Sequence, residues 1–153
     1  SFDSGSPVTI KGRFPERGCD VFPAGTSLFQ EETILQNGLA VGLGGFWGSV
    51  LRYLLSLVPL DRTGSFPVNT FLTNVLGAFA IGLLAAALSR QSGLDPRLVL
   101  FLKTGVCGGF TTFSTFALET TGLLQSGRYL PAALYVLLSL GLSLAAVFLA
   151  ESF

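Results

Sequence analysis

The chain has 153 residues, half of them hydrophobic, with a mean hydropathy of +0.65. That is too apolar for an average soluble domain. Nine Lys and Arg balance nine Asp and Glu, so there is no basic surface for nucleic acid. With no His, and Cys19 and Cys107 as the two cysteines, a His/Cys metal cluster and a disulfide framework drop out. No nucleophile lies beside a plausible base, and the chain is not read as an enzyme.

Residues 1–33 differ in chemistry from everything after them, being rich in Gly, Pro and Ser with Lys11, Arg13 and Arg17 against Asp3, Glu16, Asp20, Glu31 and Glu32. They are expected to form a mobile extramembrane tail, with a short strand around Pro7–Ile10 as the alternative. The tail lacks an apolar stretch of about 7–15 residues and is not read as a signal peptide.

The first span is predicted over about 34–58, long enough for a hydrocarbon layer of roughly 30 Å at about 1.5 Å per residue. Gly38, Gly42, Gly45, Ser49 and Arg52 fall on one face, a stripe of small residues ending in a cation. Such a stripe is read first as helix packing, and Arg52 as facing protein or an aqueous vestibule. Pro59 and the polar residues Asp61–Ser65 close this helix, and Pro67 opens a second span over about 67–89. Asn69, Thr70, Thr73 and Asn74 sit in its first third, with Thr70, Asn74 and Gly77 on one face. An amide there is either interhelical glue or a pore-lining donor.

Asp95 as N-cap and Pro96 as the first helical residue start the third span, about 97–125. Lys103 lies inside it; it either snorkels to an interface, the favoured reading, or offers an anion an electrostatic foothold. The stretch Gly105–Phe116 then interrupts the apolar pattern with glycines and threonines, predicting a helix broken at Gly108–Thr112. Non-helical backbone at membrane depth survives only where protein buries it or where it lines a watery cavity. The break is therefore the candidate site. Glu119 follows near the far end of the second half-helix, and carries little functional weight by itself. A fourth span over about 129–150 bears Tyr135, Ser139 and Ser143 at four-residue intervals, a track of hydroxyls or, alternatively, groups bonded to their own helix.

Together Gly44-Gly45 through Arg52-Tyr53, Asn74-x-x-Gly77 and, above all, Gly108-Gly109-Phe110-Thr111-Thr112-Phe113-Ser114-Thr115-Phe116 resemble the small fluoride channels of the Fluc or CrcB family. The resemblance covers essentially residues 34–153 and leaves the tail outside it. It implies an all-α membrane protein, an antiparallel dual-topology homodimer of four-span subunits in the cell membrane, in bacteria the inner membrane. Two fluoride pores and a central structural sodium ion are implied with it, and membrane lipid surrounds the whole. By motif, Asn74, Phe113 and Phe116 match the fluoride pathway, with Ser114 and Thr115 between the rings and Tyr135, Ser139 and Ser143 as the polar track. The backbone carbonyls of Gly108 and Thr111 match the sodium ligands, and Glu119 fits the family pattern. The activity implied is passive export of fluoride that enters a cell as its neutral acid.

Charge placement permits both orientations, since with Arg52 and Lys103 set aside Arg90 and Arg97 on one side face Arg62 and Arg128 on the other. A rival reading is a four-span proton-coupled multidrug exporter. That needs a carboxylate deep in a span, for which Glu119 is the sole acidic candidate. A non-transporting assembly subunit explains the glycine stripe but not an aromatic-lined break.

Overall fold

The structure, a computed structural model, describes residues 28–61, 66–90 and 94–153. The tail reading for residues 1–27, with its alternative strand, lies outside the described residues. Everything described is helix or connection: α1 (Leu28–Ser56), α2 (Val68–Arg90), α3 (96–110), α4 (Phe113–Gln125) and α5 (Tyr129–Glu151). Four apolar segments, Glu31–Ser56, Val68–Arg90, Pro96–Gln125 and Tyr129–Glu151, are each long enough to cross a membrane. α1 begins ahead of the expected Ile34, with Glu31 in its first turn, where a carboxylate complements the positive end of the helix dipole.

Local chemistry explains the helix ends. The Asp95 carboxylate accepts from the Arg97 N–H at 2.8 Å and Pro96 takes the first helical position, as expected. α1 ends where the Asn69 side-chain amide donates to the carbonyls of Leu55 and Val58, both at 2.9 Å. Asn69 is thus a cap tying α2 to α1. α4 ends at Gly127, whose φ of +74° suits a residue without Cβ. Bonds from Gly127 N–H to Leu124 O (3.0 Å) and from Arg128 N–H to Leu123 O (2.9 Å) close the turn as a Schellman motif.

Packing is carried by small residues. α1 lies against α3 with Gly44 on Gly105, Gly45 on Gly109 and Gly48 on the backbone of Val106 and Phe110. A Cβ built on Gly44 would stand 2.2 Å from the Phe101 carbonyl oxygen, and one on Gly48 2.2 Å from that of Val106. The predicted stripe of Gly38, Gly42 and Gly45 is a different face, and nothing lies within 4 Å of a Cβ placed on any of the three. Gly38 and Gly42 therefore pack on nothing within the subunit, whereas the Gly45 backbone lies under Gly109, whose added Cβ would stand 2.6 Å from the Gly45 carbonyl oxygen. α2 meets α5 at Gly82, where a Cβ would stand 2.8 Å from that of Ala150. The small core is Phe116, Leu123, Ala132 and Tyr135, with Phe66, Phe71 and Val136 packed against it. Large apolar side chains elsewhere face outward, among them Phe46 at 60%, Leu137 at 67% and Phe113 at 76% exposure. Such a surface belongs in lipid or against another protein.

α3 is not regular. After Pro96–Val99 it widens into a π-helix over Leu100–Cys107 and returns to α geometry for Gly108–Phe110. Runs of i→i+5 bonding are rare and recur at functional sites.

Candidate functional site

The interruption is narrower than Gly108–Thr112. The Thr111 N–H still donates to Cys107 O at 3.1 Å, and only Thr111 (φ −76°, ψ 157°) and Thr112 (φ −150°, ψ 112°) are extended before α4 starts. Gly105 and Gly109 remain helical with close packing on α1 to compensate for their entropic cost, while Gly108, also helical, has nothing packed on it within the subunit. The threonines and Asn74 make the break. The Asn74 amide oxygen accepts the Thr112 N–H at 2.8 Å, and its NH2 donates to Thr112 O at 3.1 Å, so one side chain from α2 replaces both backbone partners of Thr112. The Thr112 hydroxyl accepts the Thr115 N–H at 3.2 Å and donates to the Thr115 hydroxyl at 2.9 Å, capping α4.

This rerouting has a consequence for the carbonyls. In an uninterrupted α-helix, Thr112 N–H would bond Gly108 O and Thr115 N–H would bond Thr111 O. Here the first donor goes to Asn74 and the second to the Thr112 hydroxyl. The two carbonyls named from the motif are among those at the break whose helical donors have been taken away. Carbonyl oxygens suit a hard cation such as sodium. Among the described residues no cluster of three His, Cys, Asp or Glu offers an alternative cation site.

Two clefts flank the break. The larger, about 380 Å³, is lined by Asn74, Gly77, Thr111, Phe113 and Phe116 near the break and by Ser139, Ser143, Lys103 and Val147 along its length. The smaller, about 300 Å³, is lined by Ser49, Arg52, Tyr53, Asn69, Thr70, Thr73, Thr112 and Thr115. Thr111 borders one and Thr112 the other. The Asn74–Thr112 clamp is the partition between them. Neither wall carries a carboxylate.

The residues singled out from the sequence divide among these places. Asn74, Phe113, Phe116, Ser139, Ser143, Gly108 and Thr111 converge on the larger cleft. Arg52 and Thr115 border the smaller. Ser114 is exposed, its hydroxyl 3.3 Å from that of Thr112, and lines neither. Phe113 and Phe116 are neighbours with centroids 5.6 Å apart, yet Phe113 is 76% exposed while Phe116 is 8% exposed and stacks on Tyr135 at 5.0 Å. Tyr135 lies behind the cleft in the core. Its hydroxyl donates to Glu119 at 2.7 Å, and Thr70 donates to the other Glu119 oxygen at 2.8 Å, so the carboxylate joins α2, α4 and α5. Ser139, 5% exposed, has a buried hydroxyl oxygen with no protein partner and borders the larger cleft. A buried unpartnered hydroxyl is costly unless something from the cleft satisfies it.

Sequence reading named Thr112 only as the end of the break and Thr70 only as sharing a face with Asn74, and gave neither a role. Thr112 had a signal, a hydroxyl residue opening an apolar helical run; Thr70 acquires its role only through Glu119, a long-range partner.

Residues 39–151 match the family model described as CrcB-like protein, Camphor Resistance (CrcB). The chain is 48% identical over 111 residues to a fluoride-specific ion channel FluC of Rhizobium meliloti, covering 72% of this chain and 89% of the relative. It is 50% identical over 116 residues to one of Chlorobaculum tepidum (75% and 91% covered) and 46% identical over 117 residues to one of Serratia proteamaculans (76% and 92% covered).

Proposed function

The chain belongs to the CrcB-like family, and from that premise we propose that it is a fluoride-specific ion channel carrying the anion passively across the membrane. One observation supports the assignment above all. Asn74, two phenylalanines and two serines gather in one cleft beside a broken helix, with no carboxylate in its wall. A phenyl ring has a positive edge, so ring edges with amide and hydroxyl donors replace part of an anion's hydration without a full charge that would trap it. The multidrug-exporter reading loses ground here, because both oxygens of Glu119 are engaged by Thr70 and Tyr135 and it borders neither cleft. The test is fluoride efflux, followed with a selective electrode, from liposomes holding the purified protein. Rapid loss of fluoride with retained chloride is expected; equal loss of both would overturn the assignment.

Within this reading two subunits pair in opposite orientations in the cell membrane, in bacteria the inner membrane, surrounded by lipid. Support comes from Gly38 and Gly42 of α1, which are open within the subunit, the outward apolar side chains and the balanced arginines. Each subunit contributes the carbonyls of Gly108 and Thr111, which would hold sodium at the dimer centre. When bound, the ion neutralises carbonyl dipoles that converge there; two carbonyls from one subunit leave such an ion half coordinated. Gly108 provides the check. No atom lies within 4 Å of a Cβ built on it inside the subunit, so Gly108→Val should spare the subunit fold. Loss of dimer on size-exclusion chromatography, with the subunit still helical by circular dichroism, is expected, and an intact dimer would argue against a close subunit contact there.

A further inference from the structure

We propose that Lys103 recruits the anion for the larger cleft, its ammonium raising the concentration of fluoride at the mouth from which Ser143, Ser139 and Asn74 lead to the break. The inference rests on the fluoride-channel reading and adds to it a residue that sets the entry rate. Lys103 borders the same cleft as those three side chains. It stands on the π-helical part of α3, at most about 12 Å along the axis from Thr111 at a rise of roughly 1.5 Å per residue. Lys103 and Val147 both border this cleft, each well along its helix from the lining residues at the break, and we place the ammonium at that end, away from the phenylalanines.

Three observations favour recruitment over plain snorkelling. First, the Lys103 side chain has no ion pair or hydrogen bond among the described residues, and no carboxylate lines the cleft, so nothing in that wall offsets its charge. Second, the side chain also borders a small apolar recess formed by Leu84, Leu88, Leu98 and Leu102, which gives its aliphatic stem a seat and limits where the ammonium can go. Third, the smaller cleft has the same composition rule, a lone cation, Arg52, and no acid. Both approaches to the clamp therefore carry one positive charge. A lysine suits such a role because its ammonium is a compact, well-hydrated point charge that attracts an anion without the bidentate grip of a guanidinium. Focusing of this kind acts on encounter rate and is removed by salt.

The experiment is fluoride efflux from liposomes containing the full-length parent, Lys103→Gln or Lys103→Arg, at total salt of about 10 mM and about 500 mM with an impermeant anion as balance. The Debye length falls from about 30 Å to under 10 Å over that range. Rates are normalised to protein recovered folded and monodisperse. At low salt Lys103→Gln should be slower than the parent by about three- to tenfold, Lys103→Arg near the parent, and the difference should close at high salt. Equal rates for Lys103→Gln and parent at low salt would overturn recruitment and return Lys103 to snorkelling. A deficit of the same size at both salts, not restored by Arg, would overturn it too, as packing damage. A parent that conducts no fluoride would instead fail the channel reading itself, before any variant is compared.

Discussion

The two clefts beside the break share a wall and each holds one cation and no acid, but the rest of their linings differ. The larger is walled by phenylalanine, leucine and valine with a few hydroxyls, and the smaller by serine, threonine, asparagine and tyrosine around Arg52. An anion in the second keeps partners much like water; in the first it gives up hydration and must be met by ring edges, the Asn74 amide and the orphan hydroxyl of Ser139. On the proposed channel reading, selection by dehydration falls to the larger cleft and the smaller serves as an antechamber.

The contrast disappears if the two clefts do. Gly48→Val should have the largest effect, because even its Cβ would meet the Val106 carbonyl oxygen at 2.2 Å, forcing α1 off α3. A cost on the order of 3 kcal/mol is expected, read as a lowered melting temperature in detergent and loss of folded protein. Unchanged stability would mean that α1 and α3 are not held by this glycine contact.

Removing the partition comes next. Asn74→Asp keeps an acceptor for the Thr112 N–H, but its carboxylate has no donor for Thr112 O and adds negative charge to the anion's path. Flux should vanish while Asn74→Ser retains a remnant. An Asp variant conducting like the parent would make Asn74 a brace and place the pathway elsewhere.

The phenylalanines sharpen the comparison most finely. Phe116→Ile alters the aromatic stack against Tyr135 and should cost about 1 kcal/mol of stability as well as flux. Phe113→Ile, at a largely exposed ring, should reduce flux with stability little changed. Efflux per folded protein beside thermal stability distinguishes the two; normal flux in both, with lowered stability only for Phe116, would return both rings to packing.

Much of this was legible in the chain because helix boundaries are written locally. Proline, glycine and acidic residues punctuate four apolar blocks, and Asp95-Pro96 specifies its helix start without outside help. The motif brought Asn74, Phe113, Phe116, Ser139 and Ser143 to one place for the same reason that they share a cleft. The extent of the break was not legible. A glycine's entropy can be offset by close packing, and Gly105 and Gly109 are held by α1. Nor did the sequence announce that the close-packed glycines would be Gly44 and Gly48, since two candidate faces of one helix both carry small residues. The π-helical stretch has no local signature either; it follows from how α3 must seat against α1 on both sides of its glycines.

The clamp between Asn74 and Thr112 also bears on how the protein is made. As the third apolar segment enters the bilayer, extended backbone at Thr111 and Thr112 would meet lipid with unpaired polar groups, a costly condition that favours passage as one continuous helix. Asn74 lies earlier in the chain, so during synthesis the side chain that opens the helix is already in the membrane when Thr112 arrives. The order of the segments along the messenger thus supplies the tool before the joint it cuts. A chain permuted to place Pro96–Gln125 ahead of Val68–Arg90 should mature more slowly even though the finished contacts are the same.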